Sequence, residues 1–254
     1  MDIQKTARIF GWLFIATFVT SIAAKILFIN GVGGDFAHLE FVPGSMSENT
    51  VYIAAILEFL LIVANIGTAV VLYPIVKRQS EGLALGYVTA RVVESAFILV
   101  GLISAISLVS VSNSLAGATG PEAAALTAQG STLAATYDWA FLFGPGLVVG
   151  FGNGLILGYL MYRSGLVPRR MAMFGLVGGP MLILSFVMIL FGVYEIGSGP
   201  ANLMLVPEIV WEISLGVYAA WKGFRPSPIT KTVDIREETP RSSMAMAQES
   251  QGHR

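Results

Sequence analysis

This sequence predicts an all-α bundle of six membrane-spanning helices, and three observations carry the prediction. Of its 254 residues, 55% are hydrophobic and 12% charged, with mean hydropathy +0.73; soluble domains carry about a quarter charged residues. The apolar residues collect into stretches as long as the ~20 residues a helix needs to cross ~30 Å of hydrocarbon, where only bonds within the helix satisfy the backbone. Outside those stretches Lys and Arg are confined to the two terminal segments and alternate connections, the asymmetry that membrane insertion leaves between the two sides.

The elements follow in chain order. Five stretches, 9–29, 51–73, 83–111, 139–162 and 171–194, are apolar with at most two ionisable residues each. The sixth, 203–221, is weaker because it contains Glu208 and Glu212, each costing roughly 2–3.5 kcal/mol if it faced lipid. Charge decides the matter. Lys5 and Arg8 precede the first stretch, Lys77 and Arg78 follow the second, and Arg163, Arg169 and Arg170 follow the fourth. Lys222, Arg225, Lys231, Arg236, Arg241 and Arg254 follow the sixth, while the connections 30–50, 112–138 and 195–202 hold no Lys or Arg. Six crossings keep all these basic residues on one side, so both termini are expected in the cytoplasm; five would strand the basic C-terminus outside. Residues 226–254 are rich in Ser, Glu and Gln and poor in aromatics, the composition of a disordered cytoplasmic tail.

Composition also excludes functions. A net charge of −1 offers no basic field for nucleic acid. The absence of cysteine removes disulfides, thiolate metal sites and cysteine nucleophiles, and His38 and His253 are the only imidazoles. No zinc-protease helix, nucleophile elbow, phosphate loop or haem histidine pair is present, so no metal, cofactor or catalytic residue is assigned. Asp35, His38 and Glu40 on the first outer loop could share a metal ion, but three ligand types on a Gly-rich loop are more often solvated.

Three segments carry a resemblance: Ala90-Arg91-Val92-Val93-Glu94, Gly165-Leu166-Val167-Pro168-Arg169-Arg170 running into Gly175-Leu176-Val177-Gly178-Gly179, and Pro207-Glu208 through Glu212 to Lys222-Gly223-Phe224-Arg225. Together they make residues 5–225 resemble the bacterial membrane family catalogued as domain of unknown function 4386. The resemblance implies a multi-pass protein of the bacterial inner membrane, of about six helices. It implies no activity, cofactor or catalytic residue.

The ionisable residues inside the spans are the candidate site. At 1.5 Å rise per residue from the cytoplasmic end of each span, Arg91 lies about 13 Å deep, Glu212 about 15 Å, Glu94 about 18 Å and Glu208 about 21 Å. Glu58 and Lys25 lie about 24–26 Å deep, and Asp138 falls at the outer surface. These depths predict one buried cluster of Arg91, Glu94, Glu208, Glu212, Glu58 and Lys25. Within it Arg91 and Glu94 share a helix face and compensate each other, whereas Glu208 and Glu212 share a face and repel. Such a cluster is either structural glue or a site for a cation, proton or small solute.

Glycines give the second feature. Gly146, Gly150, Gly154 and Gly158 recur at every fourth position, a stripe that lets a second helix approach closely. The partner is a neighbouring helix of the same chain or, as the alternative, another copy in a homo-oligomer. Asn65 and Asn153 lie at span depth, where an amide bonds to a neighbouring helix. The leading reading is a non-enzymatic integral membrane protein whose buried cluster binds or conducts a cation, proton or small solute. The alternatives are a scaffold or sensor acting through helix contacts, and a lipid-modifying enzyme.

Overall fold

A computed structural model describes residues 2–230 as helices joined by short turns and one structured loop. Six are long and apolar enough to cross a membrane: α1 (Ile3–Val32), α2 (Glu48–Val76), α3 (Glu81–Leu115), α4 (Gly120–Ser164), α5 (Arg169–Leu190) and α6 (Gly199–Lys222). Their starts follow local chemistry. Asp2 caps α1 by accepting the Gln4 N–H, and Ser80 and Ser198 cap α3 and α6 in the same way. Pro121 and Pro200 stand in the first turns of α4 and α6, where the missing N–H costs nothing.

Both ends of the described segment, residues 2–230, lie at one end of the bundle. Gln4 Nε2 donates to Phe224 O at 2.7 Å, Arg225 N to Leu166 O at 2.8 Å, and Ser227 Oγ to Ser164 O at 2.6 Å. Lys77, Arg78, Arg163, Lys222 and Arg225, at or after the ends of α2, α4 and α6, lie there too, by helix direction. Residues 226–230 therefore pack on the bundle, while the remainder of the expected tail lies outside the described residues. The outward faces are apolar: Ile53, Ile56, Phe59, Leu60 and Val63 of α2 are all exposed. In a soluble protein so large an apolar face would be a docking surface; on helices of this length it suits lipid.

Two features differ from the sequence reading. The connection expected at 112–138 is mostly helix, because α3 runs on to Leu115 and α4 begins at Gly120. The Ala-rich run after Pro121 has high helix propensity without the hydropathy of a span. It pairs with α3, Ser104 Oγ donating to Leu133 O at 2.8 Å, and holds down the α1–α2 loop, whose Phe41 ring seats on Gly130. A Cβ on Gly130 would meet that ring at 2.2 to 2.6 Å, so the seat requires glycine.

The second difference is that α4 widens into π-helical turns over Leu142–Val148 and Gly150–Leu157. Val149 N bonds to Gly144 O and Gly158 N to Asn153 O, five residues back. Pro145 gives the reason. In an α-helix its ring would strike the Phe141 carbonyl and one hydrogen bond would be lost; a wider turn accommodates both. Such turns are rare and recur at functional sites. Two hydrophobic clusters hold the bundle. One, near the termini, contains Phe10, Phe14, Leu72, Tyr87, Leu157 and Trp211; the other, at the opposite end, contains Phe28, Leu39, Phe41, Val51, Leu108 and Tyr137.

Candidate functional site

The six charged residues of the expected cluster are divided by the structure into two sites, one against each hydrophobic cluster. The first is built by α2, α3, α4 and α6. Arg91 Nη1 donates to Glu94 Oε2 at 2.8 Å, and Asn65 Nδ2 on α2 donates to Glu94 Oε1 at 2.8 Å. Both oxygens of Glu94 are thus engaged. The Arg91 guanidinium sits 5.1 Å from the Phe14 ring centre and 5.9 Å from that of Tyr87, so its faces are covered by π-electrons in place of water. Thr68 Oγ1 donates to Asn65 O at 2.6 Å and lies 3.4 Å from the Tyr87 hydroxyl, bracing the amide that holds Glu94.

Glu212 and Glu208 approach from α6. Asn153 Nδ2, on the π-helical part of α4, donates to Glu212 Oε1. Trp211 Nε1 donates to the Asn153 carbonyl at 2.9 Å, so one residue of α4 is bound by two successive residues of α6. Glu212 is half-buried and within Coulombic range of Arg91. Glu208 is 1% exposed, and neither carboxyl oxygen has a hydrogen-bond partner among the described residues. Its Oε2 lies between two glycines: Cβ atoms on Gly154 and Gly178 would come within 2.9 and 2.6 Å of it.

The glycine stripe makes this approach geometrically possible. Gly150, Gly154 and Gly158 press on α5, where Cβ atoms would meet Gly179 O at 2.8 Å, Gly179 Cα at 2.4 Å and Leu176 N at 3.2 Å respectively. Gly146 touches only its own helix and faces a cavity. Two further glycines of α4, Gly144 and Gly152, meet Phe97 and Ala90 of α3. The wide turns thus present small residues to α3 and α5, bringing three helices around Glu208.

The second site lies at the opposite end. Glu58 is fully buried, and its Oε1 accepts from the Tyr137 hydroxyl at 2.8 Å. The Lys25 ammonium lies 4.9 Å from the Tyr137 ring centre and 3.9 Å from Asp138 Oδ1. Asp138 also accepts the Leu39 N–H at 3.0 and 3.1 Å and faces His38 Nδ1 at 3.3 Å. Asp138, at the outer end by the depth count, is buried there beneath the α1–α2 loop and belongs to the site. Asp35 Oδ1 accepts the N–H groups of Ala37 and His38 at 2.7 and 2.9 Å, bonds that hold its carboxyl below the usual range. Among the described residues no group of three His, Asp or Glu is placed to hold a metal ion.

The family model described as Domain of unknown function (DUF4386) matches residues 9–223, which include both sites. The chain belongs to this family. No curated protein and no solved structure matches the chain. For this family member, Tyr137 and Asp138 are the site residues that sequence reasoning missed. A signal was present: a phenol and an acid side by side on an Ala-rich run, immediately before the apolar stretch. Asn65 and Asn153 were legible as polar residues at span depth, but their acidic partners were not.

Proposed function

We propose that the protein is a non-enzymatic membrane protein whose first site binds and releases a cation, with a proton at Glu208 the reading best supported. One observation carries it: a carboxyl group 1% exposed, with both oxygens unbonded. An ionised carboxylate there would bear a desolvation cost that no hydrogen bond among the described residues offsets. The charges facing Glu208 are Glu212 on its own helix and Arg91 across on α3. Arg91 is already committed to Glu94, so three carboxylates share one guanidinium. A proton or small cation supplies the missing positive charge.

The surroundings suit exchange more than rigid glue. Glu212, one helical turn from Glu208 and less deeply buried, is a second carboxylate to which a proton could pass, and its partner Asn153 lies in the wide turns of α4. In this reading the basic end of the bundle faces the cytoplasm of a bacterial inner membrane, as the Lys and Arg bias supports.

The test is thermal unfolding of the purified full chain in detergent over a pH series from about 5 to 8, with and without Na⁺. Wild type is expected to show a midpoint that moves with pH or with Na⁺. Glu208→Gln should insert and fold but lose that dependence, and Glu212→Gln should weaken it. A uniform shift of the midpoint in Glu208→Gln, with its pH and Na⁺ dependence intact, would leave the residue as packing and sink the proposal.

A further inference from the structure

A second opening in the bundle lies at the end remote from the termini. There α1, α4, α5 and α6, with the α1–α2 and α5–α6 loops, line an open space beyond the Gly11–Ala220 and Gly150–Gly179 contacts. The space between the four helices is a cavity of about 640 Å³, the size of a small-molecule pocket. Its long walls are apolar, from Phe141, Leu142, Leu182, Ile189 and Leu205, and Pro145 and Gly146 of the wide turns form part of its floor. Gly146 carries no side chain to fill it.

The charged groups are gathered at one end. Lys25 lines the cavity there, with Asp138 and Asp35. The Lys25 side chain is 14% exposed, and Asp138 Oδ1 at 3.9 Å is beyond hydrogen-bond length. The ammonium is ion-paired with Asp138 and lies over the Tyr137 ring, but among the described residues none accepts a hydrogen bond from it, so it keeps donors for a ligand in the cavity it lines. Asp138 is occupied by the Leu39 N–H and His38. Asp35 is fully exposed, and only its Oδ1 is used, by Ala37 and His38. Beside it Phe36, 67% exposed, stands at the rim.

We propose that this cavity binds a zwitterionic amphiphile of the phosphoethanolamine type, its anionic oxygens on Lys25, its ammonium on Asp35, and its acyl chain along the apolar walls. An ammonium with hydrogen bonds left to give and a carboxylate with one oxygen unpartnered among the described residues line the same end of the cavity, which a purely anionic or purely cationic head would satisfy only in part. The apolar walls require an apolar body, which selects a membrane lipid over soluble phosphoethanolamine. This site shares no residue with the Glu208 site and stands or falls separately.

Native mass spectrometry of the full chain in detergent tests it, with phosphatidylethanolamine, phosphatidylcholine, phosphatidylglycerol and soluble phosphoethanolamine as probes. Wild type should retain phosphatidylethanolamine in preference to the other three. Lys25→Met should weaken that binding about tenfold or more, the worth of a hydrogen bond to a charged group. Asp35→Asn, at a fully exposed position, should fold normally and narrow the preference over phosphatidylglycerol. Leu182→Trp should block the cavity, whereas Val63→Trp on the exposed outer face should not. Should Lys25→Met fail to accumulate, Asp35→Asn and Leu182→Trp decide. Equal retention of all three lipids by wild type and Leu182→Trp, or equal retention of soluble phosphoethanolamine, overturns the proposal.

Discussion

Gly178→Ala tests the packing on which the Glu208 site depends. A Cβ at this position would lie 2.6 Å from Glu208 N, 2.6 Å from Glu208 Oε2 and 2.8 Å from Glu208 Cα. Rotation of the side chain relieves only the contact with Oε2; the other two are backbone atoms of α6, so the helix itself must move. Overpacking costs typically ~1–3 kcal/mol, and backbone clashes put this case near 3. Alanine returns about 1 kcal/mol through its better helix propensity. The net loss is about 2 kcal/mol, a fall of about 4–8 °C in Tm for a chain of this size. The assay is heating of purified protein while following tryptophan emission, since Trp211 of α6 packs on Gly175 of α5. Gly82→Ala is the control, because a Cβ there meets nothing within 4 Å; it should hold or raise Tm. If Gly178→Ala melts at or above wild type, α5 and α6 are not in the close contact described.

Arg91→Met removes the partner of Glu94 and leaves that buried acid with Asn65 alone. The expected loss is about 3–5 kcal/mol, most of it recovered in Arg91→Met/Glu94→Leu, where no unpaired charge remains; Tm values around the double-mutant cycle measure this. A double variant no better than the single would refute the pairing argument. For the α1–α2 loop, the Asp35 carboxyl is held below its usual range by the N–H groups of Ala37 and His38. A depressed folded value means that this turn is stabilised above the unfolded pKa of about 3.9 and loses the contribution as pH falls through the lower folded value. Amide NMR shifts of Ala37 and His38 should therefore titrate below about pH 3.9, and Asp35→Asn should abolish the titration.

The six spans were legible because each is a local property: a run of apolar residues whose backbone closes its own hydrogen bonds reads the same in any tertiary setting. The weak sixth span became legible through Lys and Arg placed far from it in sequence. The pairing of Arg91 with Glu94 was local as well, since i,i+3 spacing fixes it before any helix packs. The hairpin built on 120–138 was not, because its Ala- and Thr-rich residues give neither a span nor a strong amphipathic stripe. Its helix is held by what it covers, namely Phe41, Leu39 and the α3 face.

The division of one expected cluster into two sites shows the boundary most clearly. Depth along each helix is set by sequence, and it placed Glu58, Lys25 and Glu208 within a few ångströms of one another along the bundle axis. Lateral position is set by rotation and crossing of helices, which depend on which side chains interlock. Glu58 turns to Tyr137, Lys25 to Asp138, and Glu208 to the gap between Gly154 and Gly178. Sequence alone determined that charged residues lie on the apolar helices and how far along each; only the packed structure decided which of them meet, because that choice belongs to contacts between helices and not to any one of them.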